Sequence, residues 1–282
     1  MNSQEILELA KHPEEDNASL KIRKWFIAED VLMQQFEEIE EEGALPDLLG
    51  KNILISENQF GNIYKIIESI ALLLEIPIPQ TFIYDSYDCL VDSEGIRIPR
   101  IEISARVIKE FTEKELTHTL AKEMYHIRAG HLLYEVMSEK IMGLFNVIPN
   151  LPGINIVKQF GGDLAAQGAS FHFRSLAFKW FSYACFSAEN FAIAYTNDIK
   201  SSISGTLMGI FNERLLIDSI NINDYRQQIP KIETCQGPAA TLEIINEVIP
   251  YGPYRIDNML KYILSKKGRK LYNLIKRRKN GC

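Results

Sequence analysis

Residues 112–137 impose the strongest constraint on how this chain can fold. The stretch opens with Thr112-x-x-Glu115, a capping box in which the two side chains satisfy helix-start amides reciprocally. Leu116, Leu120, Met124 and Ile127 then recur at helical spacing. Such a helix must bury one face, so the other elements are expected to gather around it. Ahead of it, TFIYDSY and IRIPRIEIS are apolar and β-branched. Ile96 and Ile98, then Ile101 and Ile103, alternate as in a half-buried strand, with a slip of phase at Pro99 read as a bulge or an edge position. ILISENQ reads as a shorter strand, Ile63–Leu74 as an amphipathic helix and Arg174–Thr196 as a second long buried helix. A small group of strands with helices on both sides predicts an α+β fold.

The organisation expected is one domain over residues 1–282. Residues 1–50 form acidic N-terminal helices, 51–200 the core, and 201–282 C-terminal helices with a basic tail. HPEEDN reads as a helix start before an apolar run through Leu20, Trp25, Phe26, Val31, Leu32 and Phe36, with Gly43 as its end. The Pro- and Gly-punctuated segment 146–168 reads as loop.

Apolar residues make up 46% and charged residues 24% of the chain, which excludes collagenous and globally disordered classes. No uninterrupted apolar run approaches the roughly 18 residues of a membrane span. The acidic start MNSQEILELAKHPEED lacks the core of a secretion signal. The four cysteines (89, 185, 235 and 282) are widely spaced, without a CxxC pair. A reducing, cytoplasmic setting is expected rather than a disulfide framework. The tail Lys261–Cys282 holds nine bases and no acid, leaving 22 of the 31 bases to balance all 37 acids. It reads as a solvated helix complementing an acidic body, with peripheral contact to an anionic membrane as the other use of such a tail. No nucleic-acid motif accompanies it.

The chemistry concentrates in Lys122-Glu123-Met124-Tyr125-His126. In HExxH, histidines at i and i+4 grip zinc from one helix face while the glutamate activates the bound water. Here His126 and Glu123 hold the second and the base positions, and Lys122 stands at the first histidine. ELTHTLAKEMYHIRAGHLLY resembles the helix of HtpX-like and CAAX-prenyl-protease-type gluzincins through Glu115, Leu116, Glu123, His126, Ile127, Gly130 and His131. Trp180, Ala188, Ala192 and Asp198 resemble the second helix of those zinc metallopeptidases. HPEED and Pro253-Tyr254-Arg255-Ile256 resemble two further landmarks, the latter with Gly252-Pro253 in place of His-Pro. The resemblance runs from His12 to Tyr262 and implies a gluzincin-like fold with a small sheet.

It also implies a third zinc ligand, a glutamate, at the position of Cys185. Lys122 and Cys185 therefore replace two of three ligands. A ligand must be deprotonated; freeing a lysine at pH 7 costs roughly 4–5 kcal/mol and a cysteine about 2. The reading favoured is a pseudopeptidase without zinc, with Lys122 as a built-in cation paired to Glu123 or Glu189. It would bind a peptide or protein partner at an edge strand over Ile96–Ser104. The alternative is an active hydrolase with an atypical site. Its metal version uses His126, Cys185 and Glu189 as ligands with Glu123 as base. Its thiol version pairs Cys185 with His126, the Lys122 ammonium lowering the thiol pKa. His12, His118, His131 and His172 read as capping, packing or surface residues.

Overall fold

The computed structural model describes residues 3–26, 42–147, 162–235 and 249–280, together with Gly237, Ala240, Thr241, Glu243 and Ile244. The part of the early apolar run through Val31, Leu32 and Phe36, residues 148–161 of the expected loop, and Cys282 lie outside the described residues. In chain order the helices and strands begin with α1 (Gln4–Ala10), α2 (Glu15–Arg23), α3 (Glu42–Lys51), β1 (Ile53–Leu54) and α4 (Gly61–Leu74). Then come β2 (Gln80–Tyr84), β3 (Val91–Glu94), β4 (Arg100–Ser104), α5 (Ala105–Glu110), α6 (Glu113–Ala129) and α7 (His131–Val147). The remainder is helical: α8 (Gly162–Thr196), α9 (Ile199–Phe211), α10 (Arg214–Asp218), α11 (Ile222–Arg226), α12 (Ile229–Glu233), α13 (Gly252–Leu264) and α14 (Lys266–Asn280). The fold is α+β. Among the described residues no helix is long and apolar enough to cross a membrane.

The sheet runs β1-β2-β4-β3, with β2 parallel to β4 and the two outer pairings antiparallel. Ile101 and Ile103 point into the core at full burial, while Arg100 and Glu102 share the opposite face and pair with each other at 2.7 Å. The strand expected over Ile96–Ser104 is corrected at both its start and its place. It begins at Arg100, Ile98 is 55% exposed, and β4 is interior because β2 and β3 flank it. The edge belongs to β3, whose sequence Val-Asp-Ser-Glu carries only one apolar residue. The slip at Pro99 thus marks the link between β3 and β4.

Other boundaries moved for local reasons. α6 opens with the capping box, Thr112 accepting from the Glu115 amide at 3.3 Å and Glu115 accepting from the Thr112 amide at 2.8 Å. It closes at Gly130, whose φ of +73° is the left-handed cap that glycine adopts without strain. The expected continuous helix therefore breaks there, and α7 leaves in a new direction. Gly43 lies inside α3 rather than ending a helix, and both ends of the expected 146–168 loop are helical.

α8 is the spine of the molecule. Its first half packs with α2 and α7 in one apolar cluster containing Ile22, Phe26, Met137, Phe173 and Trp180. Its second half, including Ala188, Phe191 and Ala192, joins α4, α6, the inner sheet face and α14 in a larger cluster. The residues singled out in the sequence lie where these two clusters meet.

Candidate functional site

Three turns of α6 place His118, Lys122 and His126 on one stripe at i, i+4 and i+8. α8 packs against this helix and contributes Cys185 and Glu189, also one turn apart. β3 supplies Ser93, α13 supplies Arg255, and the first residue of α7 supplies His131. α6, α7, α8 and β3 border a cavity of about 110 Å³ that reaches Lys122, Glu123, His126, His131 and Cys185. Glu189 does not line it.

Two ion pairs organise the interior. The Lys122 Nζ sits 2.7 Å from Glu123 Oε1, their side chains only 15% and 6% exposed. Ser93 donates to the other Glu123 oxygen at 2.9 Å. Burial alone would lower the lysine, but the Glu123 carboxylate beside it wins and holds the ammonium above the ordinary lysine range. The second pair is Arg255 with Glu189. Arg255 Nε donates to Glu189 Oε1 at 2.6 Å, and Glu189 is completely buried. Glu189 Oε2 has no hydrogen-bond partner among the described residues. Lys122 thus takes Glu123, and the second carboxylate is served by a different cation.

The histidines form a relay. His131 Nε2 lies 3.3 Å from Glu15 Oε1, and His131 Nδ1 lies 2.9 Å from His126 Nδ1. A carboxylate only accepts, so the proton in the contact with Glu15 sits on His131 Nε2, and the tautomers of the two rings set which one donates between His131 and His126. Burial, then His131, Lys122 and Arg255, push His126 well below the usual histidine value, so its ring is neutral at pH 7. His118 is pushed down to about 3 by burial and then by Lys122 and Arg255; its Nε2 lies 3.5 Å from the Thr206 hydroxyl. His12 stacks on Tyr183 with ring centroids 4.6 Å apart, and His172 lies beside Trp25.

Cys185 is 6% exposed. Burial pushes its thiol up to about 12, with Glu189 adding to the effect; Arg255 and Lys122 pull the other way and lose. That is the opposite direction from the lowering that a Cys185–His126 dyad requires. Among the described residues no hydrogen bond joins Cys185 to His126, whose ring pairs with His131.

The zinc implied by the resemblance is a poor match to these donors. An ammonium stands at one ligand position, a high-pKa thiol at another, and Arg255 occupies Glu189. Among the described residues no three His, Cys, Asp or Glu side chains gather as a metal-binding group, so His126, Cys185 and Glu189 are not assembled as a ligand set.

Carboxylates that the sequence did not single out crowd the cavity: Asp92, Glu94 and Glu135 join Glu123. Burial and then Glu123 raise Asp92 to about 6; burial, then Glu123 and Glu139, raise Glu135 to about 8. Only their position across β3 and α7 brings them together, and no sequence spacing signals it. Arg255 was visible as a landmark but not as the partner of Glu189. At its neighbour Gly252 a Cβ would collide with the Tyr225 hydroxyl and lie 2.9 Å from Ile210, so a side chain there requires those two side-chain tips to shift. No protein-family model, curated protein or solved structure matches this chain.

Proposed function

We propose that the chain is a gluzincin-like pseudopeptidase that works without zinc and binds a peptide or protein partner. The observation that carries the reading is the pair of internal cations. Lys122 and Arg255 neutralise Glu123 and Glu189 at the junction of α6, α8 and α13. In a metallopeptidase a divalent ion would do this job, bridging two helices through ligands from each. Here fixed side chains supply the positive charge to both carboxylates. The base position survives as Glu123, but its carboxylate is occupied by an ammonium and the Ser93 hydroxyl.

Partner binding is assigned to the edge strand β3, which borders the cavity through Asp92, Ser93 and Glu94. An extended peptide can add to such an edge by main-chain hydrogen bonds, with alternate side chains probing what lies behind. A 110 Å³ space accepts one side chain, not a folded segment. Its carboxylate lining favours a basic one.

The test is metal analysis of protein purified without a histidine tag, paired with digestion of a peptide library in added zinc. Well under one equivalent of zinc after dialysis and no cleavage are expected. Lys122→His with Cys185→Glu should gain zinc affinity, and each single variant less. A full equivalent surviving chelator, or cleavage by the wild-type chain, would overturn the proposal.

A further inference from the structure

A second, larger concavity lies away from the acidic cavity. It is a groove of about 1220 Å³ between α14 and α4, closed at its ends by α8 and α1. Six cations line it: Lys266, Arg269, Lys270, Arg277, Arg278 and Lys279. Lys266 and Lys279 lie about 20 Å apart along α14. Leu72, Leu73 and Leu274 give it an apolar strip, beside Ser69, Tyr195, Asn273 and a single acid, Glu5. Leu72 is 66% exposed, an aliphatic side chain left uncovered on an otherwise buried run of α4.

We infer that this groove binds an acidic amphipathic helix of a protein partner. The rim charge selects an anionic occupant, and the leucines select one that also carries an apolar stripe. A bilayer offers charge but is flat, and meets Leu72 without reaching Leu73 and Leu274, which are buried on the groove floor. A nucleic acid offers charge, but a duplex held by its phosphates leaves the leucines unused, and a single strand needs aromatic platforms for its bases. The one aromatic ring lining the groove, Tyr195, is already covered, with Lys279 Nζ 3.3 Å from its centroid and Ser69 Oγ 2.8 Å from its hydroxyl. The length fits about three to four helical turns. Several rim cations are available to an incoming carboxylate. Among the described residues Lys266 and Arg277 have no acidic partner within ion-pair reach, and the Lys270–Glu5 contact at 3.2 Å is exposed on both sides and readily exchanged. The groove uses none of the residues of the acidic cavity, so its occupancy is independent of the pseudopeptidase reading.

The probe is a display library of helical peptides about four turns long, with an apolar stripe fixed and the polar positions randomised, selected on the full chain. Enriched peptides should be rich in Asp and Glu. Their binding should weaken about tenfold or more in Lys266→Glu/Arg277→Glu and in Leu72→Asp. These are groove-lining side chains outside the core, so circular dichroism melts of both variants should match wild type and exclude a folding defect. Scrambled peptides of equal charge should bind far less. Enrichment of neutral or basic peptides, no enrichment, or binding unchanged by both variants would overturn the inference. So would phosphatidylserine vesicles or duplex RNA binding as tightly as the peptides while depending on Arg277 and ignoring Leu72.

Discussion

Replacing Arg255 by methionine should be the most damaging single change to the internal charge network. Methionine keeps much of the volume and removes the guanidinium, leaving the Glu189 carboxylate completely buried beside an already unpaired Oε2. Breaking a buried pair by deleting one partner costs about 3–5 kcal/mol. For a chain of this size each kcal/mol moves Tm by about 2 °C, so Arg255→Met should melt roughly 6–10 °C lower. Lys122→Met should cost less, roughly 1–3 kcal/mol, because Glu123 keeps the Ser93 hydroxyl and the lysine side chain is 15% exposed to the cavity. The decisive variant is Arg255→Met with Glu189→Gln. Removing both charges removes the unpaired ion, so the double variant should be more stable than Arg255→Met alone. Calorimetry at pH 7, repeated in high salt, reads the wild type, Arg255→Met, Glu189→Gln, the double variant and Lys122→Met. Buried pairs are poorly screened, so the ranking should survive the salt. Additive losses in the double variant, or a loss under about 1 kcal/mol for Arg255→Met, would refute the account. An unchanged or raised Tm for Lys122→Met would show that Lys122 merely faces solvent.

In a Cys282→Ser background, iodoacetamide at pH 7 should modify the exposed Cys235 and leave Cys185 unmodified until the protein unfolds, because its thiol is buried and pushed up to about 12; rapid native-state labelling of Cys185, read by mass spectrometry, would restore the thiol-enzyme reading. Glu135 supplies a pH test. Its folded value is raised to about 8, so the folded state holds a proton that the unfolded chain has released, and stability falls as pH climbs from the ordinary glutamate range to about 8. Glu135→Gln should therefore stabilise the protein by about 2–4 kcal/mol at pH 8 and leave it unchanged near pH 4, measured by denaturant titration; an equal effect at both values would exclude proton linkage.

The sequence disclosed what is local. Thr112, Glu115 and the leucines of α6 act within a few turns, so the helix start was readable to the residue. β2 and β4 announced themselves through β-branched runs. β3 did not, because Asp92, Ser93 and Glu94 become a strand only by pairing with β4, and pairing is a long-range event. Ile96 and Ile98 imitated a strand and belong to the connection. At the site, Lys122 beside Glu123 was legible as a neighbouring charge pair. The Arg255–Glu189 bond spans 66 positions and needed the fold. Its consequence is that Glu189, a candidate ligand on spacing alone, is already spoken for. Likewise Glu15 and His131, 116 positions apart, meet only because α2 lies along α8.

The chain has two tryptophans, and both sit in the smaller apolar cluster. Trp180 is 1% exposed, stacks on Tyr134 at 5.0 Å and forms part of the wall of the acidic cavity. Trp25 packs 5.5 Å from Phe173, further along the same helix. Indole emission therefore samples one half of the molecule, while far-ultraviolet ellipticity samples all of its helices. Anything entering the acidic cavity changes the surroundings of a native fluorophore. A peptide seated against α14 leaves both indoles untouched. The protein thus carries its own optical means of telling its two surfaces apart, without a label.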